Sequence, residues 1–238
     1  MPSLFETIEK PVHVQPASAG ALDPYVPSAA KPWNARRVTH LYRRLGFGAT
    51  VEQIQQGLQM TPAALVDQLL DTAAALPPPA APVWGNWTDD DYAGNSDLVD
   101  EHRRELRFRW YADMLDEGVR AHMALFWHNH FVTELLVYGC NSYMWSYYSL
   151  LHEQAFGNFR EFTLAMGKNP AMLIYLNSNL NEVGEPNENY ARELMELFTM
   201  GESNGYTQLD VVEMSRALTG WQAFFNGCQA PVFDPPEF

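Results

Sequence analysis

The chain has 238 residues, of which 29 are Asp or Glu and 15 are Lys or Arg, so its formal net charge is −14. This charge argues against a general nucleic-acid-binding protein, which needs a basic surface, and anionic lipid offers such a chain no attraction. A hydrophobic content of 47% excludes global disorder, and the longest apolar run, 171–176, is far below the roughly 18 residues needed to span a membrane.

Proline placement divides the chain. Six of the sixteen prolines precede Trp33, four lie between Leu76 and Val83, and residues 83–169 contain none. Because proline in a helix interior costs about 3 kcal/mol, proline-free stretches favour long helices. Sustained two-residue alternation of β-branched residues is absent, so we predict an all-α, multi-helix globular domain. It spans 34–238, follows an extended or disordered Pro-rich arm at 1–33, and contains a linker at 76–96.

Local start signals predict the first three helices of this domain. They are Asn34 before a helix at 35–45 that ends at Gly46, Thr50 with Gln53 before a helix to about residue 59, and Thr61 with Pro62 before a helix that ends ahead of the prolines at 77–79. A charged helix is predicted at 97–117, with Asp100 and Arg104 paired four residues apart.

The second half of the domain begins with an apolar helix predicted at 119–137, after Gly118. An aromatic helical segment at 143–152 follows it. Asn187 is predicted to cap a helix at 188–200, and Thr207 with Asp210 to begin a last helix that ends at Gly220.

The cysteine count and the N-terminus bear on the cellular compartment. Cys140 and Cys228 lack the close spacing of a zinc knuckle and are too few for a disulfide framework. One bridge between them stays open as an alternative, but we predict two free thiols. The first ten residues contain two glutamates and no apolar run, so no secretory signal is predicted and a cytoplasmic location follows.

One polar stripe carries the first candidate site. At about 100° per residue, a set of charged and amide side chains on the predicted helix 188–200 falls within one arc of roughly 140°. The set is Glu188, Asn189, Arg192, Glu193 and Glu196. Two interpretations stay open. The stripe is a solvated face with ion pairs four residues apart, or Glu193 and Glu196 are catalytic carboxylates oriented by Arg192.

A metal site is the second hypothesis. On the predicted helix 119–137, His130 and Glu134 are four residues apart and share a face. Together with Glu193 and Glu196 they supply one nitrogen and several oxygens, which suits a divalent transition metal between helices. The spacing matches neither the zinc-protease nor the di-iron helix motif. The competing interpretation is that His130 is a hydrogen-bonded core residue.

Four segments resemble the bacterial domain-of-unknown-function family 1800. They are 36–48 (RRVTHLYRRLGFG), 126–131 (FWHNHF), 186–201 (PNENYARELMELFTMG), and 205–207 with 216–221 (GYT and RALTGW). The resemblance implies a longer, often exported protein, often encoded beside a sulfatase-like partner. It therefore suggests that this sequence is a fragment truncated at its C-terminus. The resemblance implies no reaction.

Two functions fit these observations. The first is a helical scaffold or interaction protein, with a sulfatase-like protein as a partner. The alternative is a metal-assisted hydrolase that uses Glu193, Glu196 and His130. An enzyme needs a cavity onto which the carboxylates open, whereas a scaffold leaves them paired.

Overall fold

The computed structural model describes residues 23–224 and 227–233. The described part is mostly helical, 61% when its twelve α-helices, two 3-10 turns and one π-helix are taken together, and has minimal strand, which confirms the predicted all-α class. Residues 1–22 of the predicted arm lie outside the described part, and residues 23–33 contain neither helix nor strand. Among the described helices, none has both the length and the apolar character to cross a bilayer.

The helices follow one another with short connections. They are α1 (Ala35–Leu45), α2 (Val51–Leu58), α3 (Pro62–Ala74), α4 (Asp89–Tyr92), α5 (Ser96–Asp116), α6 (Val119–His130), α7 (Leu135–Tyr138), α8 (Asn141–Glu153), α9 (Phe159–Met166), α10 (Pro170–Tyr175), α11 (Asn189–Glu193) and α12 (Gln208–Ala217). Single 3-10 turns occupy Val83–Asn86 and Ser178–Leu180, and a π-helix, Leu194–Thr199, continues α11. Strand β1 (Trp221–Gln222) pairs antiparallel with β2 (Val232–Phe233).

The predicted helix start signals at Asn34, Thr50, Thr61 and Thr207 are confirmed, but Asn187 is not the N-cap of α11, because Glu188 holds that position. The Asn34 side chain accepts a hydrogen bond from the Arg37 amide, and Thr61 caps α3 in the same way. Capping boxes form at Thr50 with Gln53 and at Thr207 with Asp210. Each signal joins groups three residues apart, so tertiary packing is not needed to form it.

Several predicted details of the helices are wrong. Asp100 pairs with Arg103, at 3.4 Å, and not with Arg104. The last helix ends at Ala217, three residues before the predicted Gly220. The segment 76–96 contains the short helix α4 and a 3-10 turn whose Trp84 is buried in the core, and its role as a linker stays a prediction.

The predicted helix 119–137 is broken. Helix α6 ends at His130, Phe131 leaves the helical conformation, and α7 begins only after Glu134. The Phe131 ring is buried among aromatic side chains, and its carbonyl accepts a hydrogen bond from the Tyr147 hydroxyl at 2.7 Å. Tertiary contacts therefore replace the lost helical bond. Consequently His130 and Glu134 do not share a helix face.

Helix α8 lies at the centre of the main core. Most of its residues are buried, and it packs on α5, α6, α9 and α10. The fully buried side chains of this core include Tyr148 and Leu151 of α8 and Phe162 of α9. A smaller cluster joins α1 and α3 through Val38 and Leu65. Because α8 is enclosed, any polar side chain on its inner faces needs a partner within the protein.

The two cysteines form a disulfide, which corrects the prediction of free thiols. Cys140 immediately precedes α8, and the C-terminal segment brings the Cα atom of Cys228 to 5.5 Å from that of Cys140. The Gly227 amide donates to the Asp89 carboxylate at 2.8 Å beside the bridge. The sequence separation of 88 residues hides this contact from any argument based on spacing.

Candidate functional site

The predicted polar stripe is an ion-pair network. Arg192 donates to Glu188 at 2.8 Å and lies 3.7 Å from Glu196, and the Arg192 side chain is 36% exposed. The Gln208 amide also donates to Glu188, at 2.7 Å. These contacts agree with the interpretation as a solvated face. The catalytic roles of Glu193, Glu196 and Arg192 stay predictions.

The π-helix changes which side of this segment is buried. A continuous α-helix through 200 would place Leu197 on the side opposite the polar stripe, but Leu197 is 64% exposed and Met195 is 8% exposed. A π-turn contains one residue more than an α-turn, so every later side chain is rotated around the axis. The Thr199 hydroxyl bonds to the Leu194 carbonyl five residues earlier.

His130 lies beside the same segment but away from its carboxylates. Its Nε2 atom is 2.9 Å from the Phe198 carbonyl, so Nε2 carries the proton and donates. The ring also contacts Trp127 and Phe131. These contacts agree with the interpretation of His130 as a hydrogen-bonded core residue.

The predicted ligand set is not brought together. Among the described residues, a single group of three or more His, Cys, Asp or Glu side chains has ligand atoms within 4.8 Å of one another. It includes none of the residues predicted as ligands, which are His130, Glu134, Glu193 and Glu196. Their role as metal ligands stays a prediction that this geometry does not support.

That group consists of Asp113, Glu117 and His152. Asp113 lies in the last turn of α5, and Glu117 follows the end of α5 with its amide bonded to the Asp113 carbonyl. Four residues apart, the two carboxylates share one face. His152 comes from the last turn of α8, which packs against α5. The group therefore forms where the C-terminal ends of two helices meet.

Glu117 is the most heavily bonded member. Arg120 donates to both carboxylate oxygens, with Nε 2.8 Å from Oε2 and Nη2 in close contact with Oε1. His152 Nδ1 lies 3.1 Å from the same Oε2. A carboxylate only accepts, so Nδ1 donates; in a neutral ring the lone pair would then lie on Nε2. That Nε2 atom is buried and has no hydrogen-bond partner.

Asp113 is 9% exposed and lies beside aromatic rings. The Tyr148 hydroxyl donates to Asp113 Oδ2, and the Arg109 Nε atom is 4.0 Å from the same oxygen. Burial raises the pKa of Asp113, although the hydrogen bond from Tyr148 acts in the opposite direction. The Tyr148 ring lies 4.4 Å from the His152 ring, so the tyrosine orients both members of the group.

The pKa of Glu117 is shifted downward. Burial alone would raise it, but the hydrogen bonds from His152 and Arg120 and the charges of these residues lower the pKa of Glu117 to about 2. Glu117 is therefore ionised throughout the neutral range. An ionised carboxylate is the form that binds a metal ion.

This shift predicts an acid-sensitive stability. Because the folded pKa of about 2 lies below the ordinary 4.5, the stabilisation is complete above pH 4.5 and is lost as the pH falls toward 2. A shift of this size corresponds to roughly 3 kcal/mol. The free energy of unfolding is measured with urea between pH 6 and pH 2.5. Glu117→Gln is expected to lose this part of its dependence on pH. Glu213→Gln, which breaks an exposed pair with Arg216, is expected to keep it. If the free energy of unfolding changed equally with pH in the wild type and in Glu117→Gln, the lowered pKa of Glu117 would be contradicted.

A cavity of about 370 Å³ borders the group. Its walls are Ala73, Ala74, Leu76, Pro78, Glu153, Phe156 and Gly157, together with Arg120 and His152. The two last residues connect the cavity to the buried carboxylates. A larger cavity of about 600 Å³, beside Cys228 and Lys168, contains none of the group and so is not adjacent to this chemistry.

Sequence reasoning missed this group although a signal was present. Asp113 and Glu117 end a helix, where the helix dipole disfavours negative charge. Two carboxylates at that end call for a cation nearby, and Arg120 follows within three residues. His152 carries no such signal, because only the packing of α8 on α5 brings it to the carboxylates.

One comparison with known proteins gave a match. The model of the family described as "Protein of unknown function (DUF1800)" matches residues 40–237. The chain belongs to the DUF1800 family. No curated protein and no solved structure matches it. For this DUF1800 chain, therefore, function has to be argued from the site itself.

Proposed function

We propose that this DUF1800 protein binds one divalent transition metal through Asp113, Glu117 and His152. Two carboxylates and one imidazole form a mixed oxygen and nitrogen donor set, which suits first-row transition metals better than Ca²⁺ or Mg²⁺. A site between the ends of two packed helices resembles the way in which helical bundles hold metals.

The convergence of three donors, two of them buried and Glu117 half-buried, carries this proposal. Their ligand atoms lie within 4.8 Å of one another, and His152 is 2% exposed with Nε2 unpaired. A buried polar atom without a partner is costly and calls for an explanation. Nδ1 is the ring nitrogen beside Glu117 in the structure, so a bound ion supplies that explanation when the His152 ring turns over and Nε2 faces the carboxylates.

The site also has room for a substrate. Three protein ligands leave coordination positions free for water, which is the arrangement of catalytic metal sites. The 370 Å³ cavity lined by His152 and Arg120 lies next to these positions. We therefore infer that metal-assisted hydrolysis, if present, takes place here and not at Glu193, Glu196 and His130.

A scaffold function is the second candidate, and one observation favours it. Arg120 pairs with Glu117, and Arg109 lies 4.0 Å from Asp113, so both carboxylates already face cations. In that case the group is a structural ion-pair network that holds α5, α6 and α8 together. Its partner would be the sulfatase-like protein that the family resemblance implies.

We propose an oxidising compartment in place of the predicted cytoplasm. The Cys140–Cys228 bridge is the supporting observation, because disulfides are rare in reducing compartments.

Metal analysis with variants tests the proposed site. The wild-type chain, incubated with Zn²⁺ and passed over a desalting column, is expected to retain one equivalent by elemental analysis. Loss of an outer hydrogen-bond partner of a ligand already costs about 10- to 100-fold in affinity. We therefore expect the loss of a ligand in His152→Ala to raise the Zn²⁺ Kd by at least roughly 100-fold, measured by calorimetry.

Two further variants make this experiment selective. His40→Ala removes an exposed histidine of α1 and is expected to leave the Kd unchanged. The double variant Glu193→Gln/Glu196→Gln examines the site predicted from sequence. Metal loss in the double variant but not in His152→Ala would refute the proposed site, and absence of metal from the wild type would favour the scaffold function.

A further inference from the structure

Arg120 holds the position that a metal would need on Glu117. We propose that Arg120 is the resident cation of this site and that a metal enters by exchange with its guanidinium. The inference rests on the proposed function and names the residue that determines which ions are accepted. Arg120 is 5% exposed, follows Glu117 by three residues at the start of α6, and donates to both Glu117 oxygens.

The metal has to replace the Arg120 guanidinium because both oxygens of Glu117 already accept hydrogen bonds. Oε2 accepts from Arg120 Nε at 2.8 Å and from His152 Nδ1 at 3.1 Å, and Oε1 accepts from Arg120 Nη2. A transition metal binds carboxylate oxygen at about 2.0–2.2 Å, where the guanidinium hydrogens now lie. Two cations at that separation repel strongly in a buried site. The guanidinium and the metal therefore do not occupy Glu117 together.

The displaced guanidinium has a place to go. Arg120 lines the 370 Å³ cavity, where water is able to solvate its head group. Its remaining contact, from Nη1, is to the Pro77 carbonyl in the Pro-rich linker.

This exchange makes Arg120 a specificity-determining residue. An incoming ion has to replace a buried bidentate ion pair, which selects for ions that bind imidazole and carboxylate tightly. Mg²⁺ loses its water shell reluctantly and gains little from an imidazole ligand. The wild-type site is therefore expected to take Zn²⁺ and to reject Mg²⁺.

The test measures Zn²⁺ and Mg²⁺ binding to the full chain with Arg120→Gln. The Zn²⁺ Kd is expected to fall about tenfold or more, and weak Mg²⁺ binding is expected to appear. Without metal, this variant leaves Glu117 short of its main partner, so its Tm is expected to fall. Zn²⁺ is then expected to raise the Tm more in the variant than in the wild type.

Two other substitutions keep the test decisive. Arg216→Gln removes an arginine that follows its partner Glu213 by the same three residues, but on the surface, and is expected to leave the Zn²⁺ Kd unchanged. Arg120→Lys keeps the charge without the bidentate geometry, so its Kd is expected to lie between those of the wild type and Arg120→Gln. It provides the answer if Arg120→Gln does not fold.

The outcomes separate the two proposals. An unchanged or weaker Zn²⁺ affinity in folded Arg120→Gln or Arg120→Lys overturns the exchange, while Zn²⁺ binding by the wild type still supports the metal site. If His152→Ala binds Zn²⁺ as tightly as the wild type, the site itself is wrong and the exchange is overturned with it.

Discussion

Removal of the disulfide between Cys140 and Cys228 is expected to lower the free energy of unfolding by about 4 to 5 kcal/mol. The bridge spans a sequence separation of 88 residues, and closing a loop of that length greatly restricts the unfolded chain. It also joins the C-terminal segment to the start of α8, the central helix of the core. Urea unfolding of the double variant Cys140→Ser/Cys228→Ser measures the effect without leaving a free thiol.

The reductant provides the control for this disulfide prediction. Reduced wild type is expected to unfold at nearly the same urea concentration as the double variant. The urea concentration at which the double variant unfolds is expected to be the same with and without reductant. Equal stability of the oxidised wild type and the double variant would contradict the bridge as a structural element.

Replacement of Glu117 by alanine has the second largest expected effect, a loss of about 3 to 5 kcal/mol in the free energy of unfolding. The substitution leaves the Arg120 guanidinium buried with only the Pro77 carbonyl as a partner. It also removes the acceptor of His152 Nδ1. The loss of stability arises mainly from the Arg120 guanidinium and His152 Nδ1, which are left without their acceptor. A buried charge without a partner is far less favourable than a buried ion pair.

An exposed ion pair provides the matched control for Glu117→Ala. Glu161 pairs with Arg160 at 2.8 Å, but both side chains are largely exposed. Glu161→Ala is therefore expected to cost less than about 1 kcal/mol in the same urea experiment. Similar losses in Glu117→Ala and Glu161→Ala would show that the buried group contributes no more than a surface pair.

The fold class and the helix starts could be predicted because their causes are local. Thr50 and Gln53 form their capping box within four residues, and the same holds for Thr207 and Asp210. The absence of proline from 83 to 169 likewise predicts where long helices form. These features depend on neighbouring groups and not on distant packing.

The errors arose where distant contacts decide the structure. The helix after Gly118 stops at His130 because Tyr147 supplies the hydrogen bond to the Phe131 carbonyl. The Cys140–Cys228 bridge depends on the path of the C-terminal segment. No repeating pattern of residues in the sequence indicates either contact.

The candidate site shows the same division. Sequence reasoning predicted a metal set of His130, Glu134, Glu193 and Glu196, and it did not predict the group of Asp113, Glu117 and His152 that the structure brings together. The pair Asp113 and Glu117 could have been found in the sequence from its four-residue spacing at a helix end. The histidine was not, since the choice between His130 and His152 depends on how α8 packs against α5.

A crystal of the wild-type chain grown with Zn²⁺ and measured at the zinc absorption edge tests the central claim most directly. We expect one strong anomalous peak about 2.0 to 2.2 Å from oxygens of Asp113 and Glu117 and from a ring nitrogen of His152. Arg120 is then turned away from Glu117. No peak at this position, or a peak beside Glu193 and Glu196 instead, would contradict it.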